Sequence, residues 1–237
     1  MASVVTHLPD MRVSTAAMVS GFDAERWTDD NMRAPSLLPD WSRGHVLTHI
    51  ARNADSITRT LTGALRGEKV PRYDSPEARV ADIEAGSGRA AAELLADVRD
   101  SADRLDVMFA AVAAADGWEL DTWDRPAHAW IAARWREIEI HRVDAAGSYA
   151  PSDWPAAFVS YLLPKLADKL DERTTNGLRV ELTASTSPGL RGQVWTIGTG
   201  DAIDVRGPDW AVLTWLIGRS LPDPAAITAT PPLGPWM

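Results

Sequence analysis

The sequence predicts an α+β protein, in which a helical N-terminal domain precedes a smaller mixed domain, and three observations support this prediction. Apolar residues recur at helical spacing over much of the first 146 residues. The stretch from Gly147 to Pro155 then has the composition of a linker. Beyond it, apolar and polar residues alternate, which is typical of strands. We therefore expect two domains, residues 1–150 and 151–237.

Helical periodicity places the first two helices. Apolar residues from Met11 to Phe22 predict a helix that ends before the polar run from Thr28 to Asn31. A second apolar stripe, from Val46 to Leu61, follows a candidate capping residue, either Asp40 or Ser42. Glycines beyond Leu61 are expected to end this second helix.

Two further helices complete the N-terminal domain. The run from Ser75 to Glu77 has the pattern of an N-cap followed by proline at the first helical position. An apolar stripe from Leu94 to Val112 continues this helical stretch, which Gly86 and Gly88 should divide in two. A fourth helix is expected from Pro126 to Ala146. Four helices with modest connections favour an up-and-down bundle.

The C-terminal part predicts a small α+β domain. A helix from Trp154 to about Leu170 leads into three short strands, around Leu178–Leu182, Trp195–Ile197 and Ile203–Val205. A last helix should run from Pro208 to Arg219. Helix and strand in separate runs are typical of the α+β class.

Composition excludes several function classes. The chain of 237 residues carries a formal charge of −9 and no block of Lys or Arg, so we expect neither nucleic acid nor an anionic membrane as a partner. It shows no signal segment and no apolar stretch long enough to cross a bilayer, which predicts a cytoplasmic protein. With zero cysteines, His, Asp and Glu are the available metal ligands, and any reactive thiol must come from outside.

Glu137, His141 and Asp144 fall at positions i, i+4 and i+7 of one predicted helix, so they share a face. A Glu-x-x-x-His pair alone is more often a solvated polar stripe. Here apolar residues flank the stripe on both sides, and a buried carboxylate beside an imidazole needs a compensating partner, which a cation supplies. Asp144 is either an acceptor that orients His141 or an ordinary surface acid.

His45 and His49 lie four residues apart on another predicted helix, and this pair could supply a third ligand. The two side chains diverge round the helix, and we interpret His45 as a capping or surface residue. Carboxylate and imidazole ligands with an open fourth position are typical of catalytic zinc. Nickel, cobalt or iron would accept similar ligands.

Arg79 and Arg219 are the candidate substrate-binding arginines, because planar guanidinium groups suit small carboxylated molecules. Most of the 24 basic residues must face solvent, however, so spacing alone gives little support to any one of them.

Four segments carry a resemblance to a known family. Trp41-Ser-x-x-His45-x-x-x-His49, together with Arg136-Glu137-x-x-x-His141-x-x-Asp144, resembles the mycothiol-dependent maleylpyruvate isomerases, members of the wider DinB-like metal-binding superfamily. The Ser75-Pro-Glu-Ala-Arg79 segment and the closing Gly218-Arg219-Ser220 strengthen the match to that enzyme. The similarity spans nearly the whole chain.

The resemblance implies a DinB-like four-helix bundle that holds zinc, or another divalent metal, through His49, Glu137 and His141. It also implies a smaller C-terminal domain similar to sterol-carrier proteins, from which Arg219 would reach the active cleft. The family converts maleylpyruvate to fumarylpyruvate with mycothiol as cofactor. A metal-activated thiolate adds to the double bond, the resulting single bond rotates, and elimination follows. We predict that Arg219, helped by Arg79, pairs with the substrate's carboxylates and stabilises the enolate. The partners would be mycothiol and a small dicarboxylate, in a monomer or weak oligomer.

Two alternatives stay open at this point. The protein could be a mycothiol S-transferase that conjugates electrophiles, in which case the arginines would be dispensable. It could also be a non-catalytic binding protein with a structural metal, although structural zinc normally has four protein ligands.

Overall fold

The computed structural model of the chain describes residues 4–198 and 201–236, and the chain divides into two compact units. The first unit, Met1–Tyr149, is helical, and the second, Ala150–Met237, combines helices with strands. This confirms the predicted α+β class. Among the described residues, no helix is both long and apolar enough to cross a membrane.

Six helices build the described part of the first unit: α1 (Leu8–Ala24), α2 (Asp29–Arg33), α3 (Arg43–Leu65), α4 (Pro76–Ser87), α5 (Ala91–Ala114) and α6 (Ala129–Asp144). The caps explain where α3 and α4 begin. The hydroxyl of Ser42 accepts from the backbone N–H of His45, and the hydroxyl of Ser75 accepts from the backbone N–H of Ala78. Of the two capping candidates for α3, the structure therefore selects Ser42 over Asp40.

The short helix α2 was not predicted. The polar run from Thr28 to Asn31 was expected only to end the first helix, but Thr28 instead caps a new one. Its side chain accepts from the backbone N–H of Asn31, whose own side chain accepts from the backbone N–H of Thr28. Five residues are too few for an apolar period to appear in the sequence.

Four long helices, α1, α3, α5 and α6, surround the core of the first unit. Among these four, α1 and α3 each pack against both α5 and α6. The pair α1 and α3 and the pair α5 and α6, although consecutive along the chain within this set, therefore lie diagonally. An up-and-down bundle places consecutive helices side by side, so that prediction was wrong. The connections from α1 to α3 and from α5 to α6 are long enough to cross the end of the bundle. Large buried side chains fill the core, among them Leu47, Ile50, Ile57, Phe109, Trp130 and Trp135.

Two glycines let α3 and α4 approach closely. A Cβ atom at Gly44 would overlap the backbone carbonyl oxygen of Ser87, and one at Gly86 would overlap the side chain of Thr48. This contact fixes α4, which carries Arg79, against α3, which carries His49.

The second unit contains α7 (Ala156–Ala167), β1 (Gly177–Ala184), β2 (Val194–Ile197), β3 (Ala202–Pro208) and α8 (Asp209–Leu216). The sheet order is β2-β1-β3, with β1 antiparallel to β2 and parallel to β3. Val180 in the central strand pairs with Trp195 on one side and Val205 on the other. The three strands therefore form where the alternating pattern predicts them.

The last helix ends earlier than predicted. It stops at Leu216, and Gly218 follows with a φ of 70°, a left-handed conformation that glycine adopts without strain. Arg219 consequently lies beyond the helix rather than at its end.

Candidate metal centre

Three predicted ligands from two helices converge in the first unit. His49 on α3 places its Nε2 atom 2.9 Å from Oε2 of Glu137 and 3.1 Å from Nε2 of His141, both on α6. His141 Nε2 lies 3.3 Å from the same Glu137 oxygen. The spacing of four residues between Glu137 and His141 puts both side chains over one turn of α6.

The arrangement fits a small divalent cation. Two ligand atoms bound at about 2.0–2.1 Å to a tetrahedral ion lie about 3.3 Å from each other. The three donor atoms already have nearly these separations. Within the described part of the chain, His49, Glu137 and His141 are the His and acidic side chains whose ligand atoms lie close enough together to share one ion. Three protein ligands leave a fourth position for an external group, as catalytic sites do.

The electrostatics favour exchange of a proton for a cation. Burial opposes the charge of Glu137, but hydrogen bonds from His141 and His49 hold its pKa well below the usual value. Burial lowers the pKa of His49. Burial also acts to lower the pKa of His141, but Asp144 and Glu137 overcome it and raise the pKa to about 9. A cation bound here would replace the proton that His141 otherwise carries at neutral pH.

Asp144 orients His141. Its Oδ2 atom accepts from His141 Nδ1 at 2.9 Å, and the Asp144 side chain is fully buried. The alternative that Asp144 is a surface acid was therefore wrong. With the proton held on Nδ1, the Nε2 lone pair of neutral His141 points to the shared ligand position.

Arg79 also reaches this centre. Its Nη2 atom lies 3.2 Å from His49 Nδ1, and its guanidinium lies 5.9 Å from the centre of the Tyr73 ring. A guanidinium can only donate, so Nδ1 of His49 is the acceptor and the proton of a neutral ring lies on Nε2. Ligation through Nε2 requires the other tautomer, so a bound cation and this hydrogen bond exclude each other.

His45 has the capping role that the sequence suggested. Its Nδ1 atom lies 3.1 Å from the backbone nitrogen of Ser42, and its Nε2 atom lies 3.3 Å from a carboxylate oxygen of Glu84. The ring therefore belongs to the cap of α3 and not to the group of three ligands.

Arg219 belongs to the second unit. It lines a cavity of about 630 Å³ together with Arg173, Trp215 and the C-terminal segment. Its catalytic role stays a prediction.

Sequence reasoning gave no role to two residues beside the metal centre. The ring of Trp41 packs edge-on against His49, with ring centres 5.5 Å apart. Arg134, one turn before Glu137 on α6, is almost completely buried. Trp41 could have been found because it directly precedes the capping residue of α3. Nothing in the spacing of Arg134 distinguishes it from a surface arginine.

The first unit thus defines a class of protein: a helical bundle in which two histidines and a glutamate could hold one metal ion. A family model described as "Mycothiol maleylpyruvate isomerase N-terminal domain" matches residues 12–146, which is more than half of the chain. The protein therefore belongs to the family that this domain defines.

Solved structures show the same fold over nearly the full length. One is the crystal structure of the mycothiol-dependent maleylpyruvate isomerase, with 24% sequence identity, a TM-score of 0.80, and coverage of 97% of this chain and 96% of that one. A second is a mutant of a mycothiol-dependent maleylpyruvate isomerase in which alanine replaces a histidine, with 23% identity, the same TM-score and the same coverage. No curated protein matches the chain.

Proposed function

We propose that the protein is a mycothiol-dependent maleylpyruvate isomerase, which converts maleylpyruvate to fumarylpyruvate. The observation that carries this proposal is the convergence of His49, Glu137 and His141, with Arg79 beside them, in a member of this family. The solved structures with the same fold bear the name of that activity.

A change from a cis to a trans double bond requires the π bond to be broken for a time. A thiolate does this by adding to one alkene carbon, while the π electrons move towards the conjugated carbonyl and form an enolate. Rotation about the resulting single bond follows. The enolate then re-forms the double bond in the trans geometry and expels the thiolate, so nothing is consumed. The chain has no cysteine, so the thiol must be a separate molecule.

The residues of the centre have different proposed roles. His49, Glu137 and His141 would hold a divalent cation, and Asp144 keeps His141 in the tautomer that ligation needs. The cation, when bound, would stabilise the cofactor's sulfur as a thiolate at neutral pH. We propose zinc, because two imidazoles and a carboxylate suit it, although nickel, cobalt and iron accept the same ligands.

The arginines would act on the substrate. Once a cation occupies the centre, Arg79 no longer donates to His49, and its guanidinium can pair with a substrate carboxylate or with the enolate oxygen. We propose the same kind of role for Arg219, on the strength of the family resemblance. The reaction would take place in the cytosol, where thiols stay reduced.

Arg79 also bears on the two alternatives. A transferase for apolar electrophiles has no need of a guanidinium at its centre, whereas a dicarboxylate substrate does. A purely structural zinc would be closed by a fourth protein ligand. The described residues provide three ligands and a nearby cationic side chain, which supports the isomerase.

The test is to incubate the purified, zinc-loaded protein with maleylpyruvate and to follow fumarylpyruvate, with mycothiol, with glutathione and without a thiol. We expect turnover with mycothiol alone, and its loss in a Glu137→Gln variant. An electrophile-conjugation assay with mycothiol runs in parallel. Conjugation without isomerisation would replace the proposal by the transferase, and the absence of both reactions would refute an enzyme of either kind.

A further inference from the structure

The first unit contains a cavity on the side of the bundle where α1 and α5 meet. It has a volume of about 440 Å³, within the range of small-molecule sites. Met11 on α1 and Leu105 and Phe109 on α5 give it an apolar wall, and all three are buried. None of its lining residues is a candidate metal ligand.

Two arginines on its rim are paired with carboxylates, and Asp103 adds a further exposed acid to the lining. Arg12 donates to Asp106 at 2.5 Å, and Arg99 donates to Asp23 at 2.8 Å. These exposed pairs contribute little binding energy of their own. The rim therefore offers no strong attraction for an ion.

Arg134 differs from these rim residues. It reaches the cavity from α6 and is 1% exposed, so its charge is almost completely removed from water. Its Nη1 atom donates to the backbone oxygen of Ile50 at 2.8 Å and to Oδ1 of Asn53 at 2.9 Å. Its Nη2 atom is buried and has no hydrogen-bond partner among the described residues.

An unpaired buried donor on a charged group is costly, so an anion that accepted from Nη2 would remove that cost. Burial lowers the pKa of Arg134 to about 10, so the group is still a cation at neutral pH. Glu137 is the main acid that stabilises this charge, but its hydrogen bonds go to His49 and His141. The cation in the wall of the cavity is therefore without a dedicated counterion.

We propose that this cavity is a binding site for a monocarboxylate with an apolar body, whose carboxylate accepts a hydrogen bond from Arg134 Nη2. The apolar body packs against Met11, Leu105 and Phe109. A straight-chain fatty carboxylate and an aromatic carboxylate share this chemistry. The site is separate from the metal centre and does not depend on the proposed isomerase activity.

The test is isothermal titration of the zinc-loaded protein with decanoate and with 2-naphthoate, each compared with the matching uncharged alcohol, decanol or 2-naphthylmethanol. We expect one of the carboxylates to bind at a single site, about ten- to a hundredfold more tightly than its alcohol, because the alcohol keeps an acceptor oxygen but lacks the negative charge that pairs with the guanidinium. The two carboxylates distinguish an aliphatic from an aromatic ligand. Equal affinities for acid and alcohol, or no binding of any probe, would overturn the proposal.

Three variants locate the binding. Ala102→Leu fills the cavity from α5 and should abolish binding, while Ala111→Leu adds the same side chain to the exposed face of α5 and should not. Arg134→Gln should remove the preference for the carboxylate. If that variant fails to fold, Ala102→Leu and Ala111→Leu still show whether the carboxylate binds in this cavity. Loss of binding in His49→Ala would place the carboxylate at the metal centre and refute a separate site.

Discussion

At the scale of single residues, the contact between Asp144 and His141 determines how well the centre can hold a metal. Asp144→Asn keeps a hydrogen-bond acceptor but removes the charge that favours the Nδ1–H tautomer of His141. Changes to such outer partners typically reduce metal affinity by about 10- to 100-fold. We expect a loss in this range when zinc affinity is measured by competition with a chelating dye. The matched change at the exposed Asp100 should leave the affinity unaltered, and equal affinities in both variants would contradict the orienting role.

The titration of His141 predicts how pH affects stability. Its folded pKa of about 9 lies above the ordinary value of 6.5, so its charged form stabilises the fold. This contribution is fully present below about pH 6.5 and is lost as the pH rises through about 9. Urea unfolding of chelator-treated protein should therefore show a falling free energy of unfolding over this interval, and the decrease should be absent in His141→Ala. A flat profile in the unmodified protein would show that His141 is not held as a cation.

Replacement of Arg79 should reduce turnover without weakening metal binding. Arg79→Gln removes the proposed partner of the substrate carboxylate and should reduce turnover by roughly 10²- to 10³-fold. It also removes a positive charge and a competing donor beside His49, so zinc affinity should stay the same or rise. Both quantities can be measured on one preparation. Unchanged turnover would exclude Arg79 from the mechanism.

At the scale of elements, several local signals in the sequence correctly placed helices and strands. Ser75 followed by Pro76 marked the start of α4, and Gly88 lies immediately after its end. Strands β1, β2 and β3 followed from alternation. The short α2 was missed because a helix of five residues shows no period, and the end of α8 was misplaced because Gly218 was not recognised as its stop.

The packing of elements could not be predicted in the same way. Which helices become neighbours in the bundle depends on how well the side-chain volumes of two opposing faces fit each other. That fit depends on both faces together, so the pattern of one helix alone does not reveal it. The burial of Arg134 is a further example, since its partners, Ile50 and Asn53, lie more than 80 positions away. By contrast, Glu137 and His141 share one helix face, so two of the three candidate ligands could be predicted from spacing alone.

The close approach of α3 and α4 gives a prediction for Gly44. A methyl group there meets the backbone oxygen of Ser87, which cannot move as a flexible side chain would. We expect Gly44→Ala to lower the free energy of unfolding by roughly 1–3 kcal/mol, as overpacking does. Gly88→Ala is the control, since a Cβ atom there has no neighbour within 4 Å and its φ is negative. Similar stabilities of the two variants in urea would contradict the steric role of Gly44.

At the scale of the whole molecule, the functional candidates are divided between the two units. All three candidate ligands, together with Asp144 and Arg79, belong to Met1–Tyr149, and Arg219 belongs to Ala150–Met237. The family model covers only the first of these regions, whereas the similarity to solved structures covers 97% of the chain. Metal binding and substrate recognition can therefore be separated by mutation.

Arg219→Ala provides that separation. No ligand or orienting group is altered, so the zinc content and zinc affinity of the variant should equal those of the unmodified protein. If Arg219 pairs with a substrate carboxylate or stabilises the enolate, turnover of maleylpyruvate should fall by about 10²-fold or more, because such a contact strengthens as negative charge develops. Arg173→Ala is the matched control, since Arg173 lines the same cavity of the second unit and has no proposed part in the reaction. A loss confined to Arg219→Ala, with zinc unchanged, would show that both units take part in one reaction. Unchanged turnover would confine the chemistry to the first unit and leave the second without a catalytic residue.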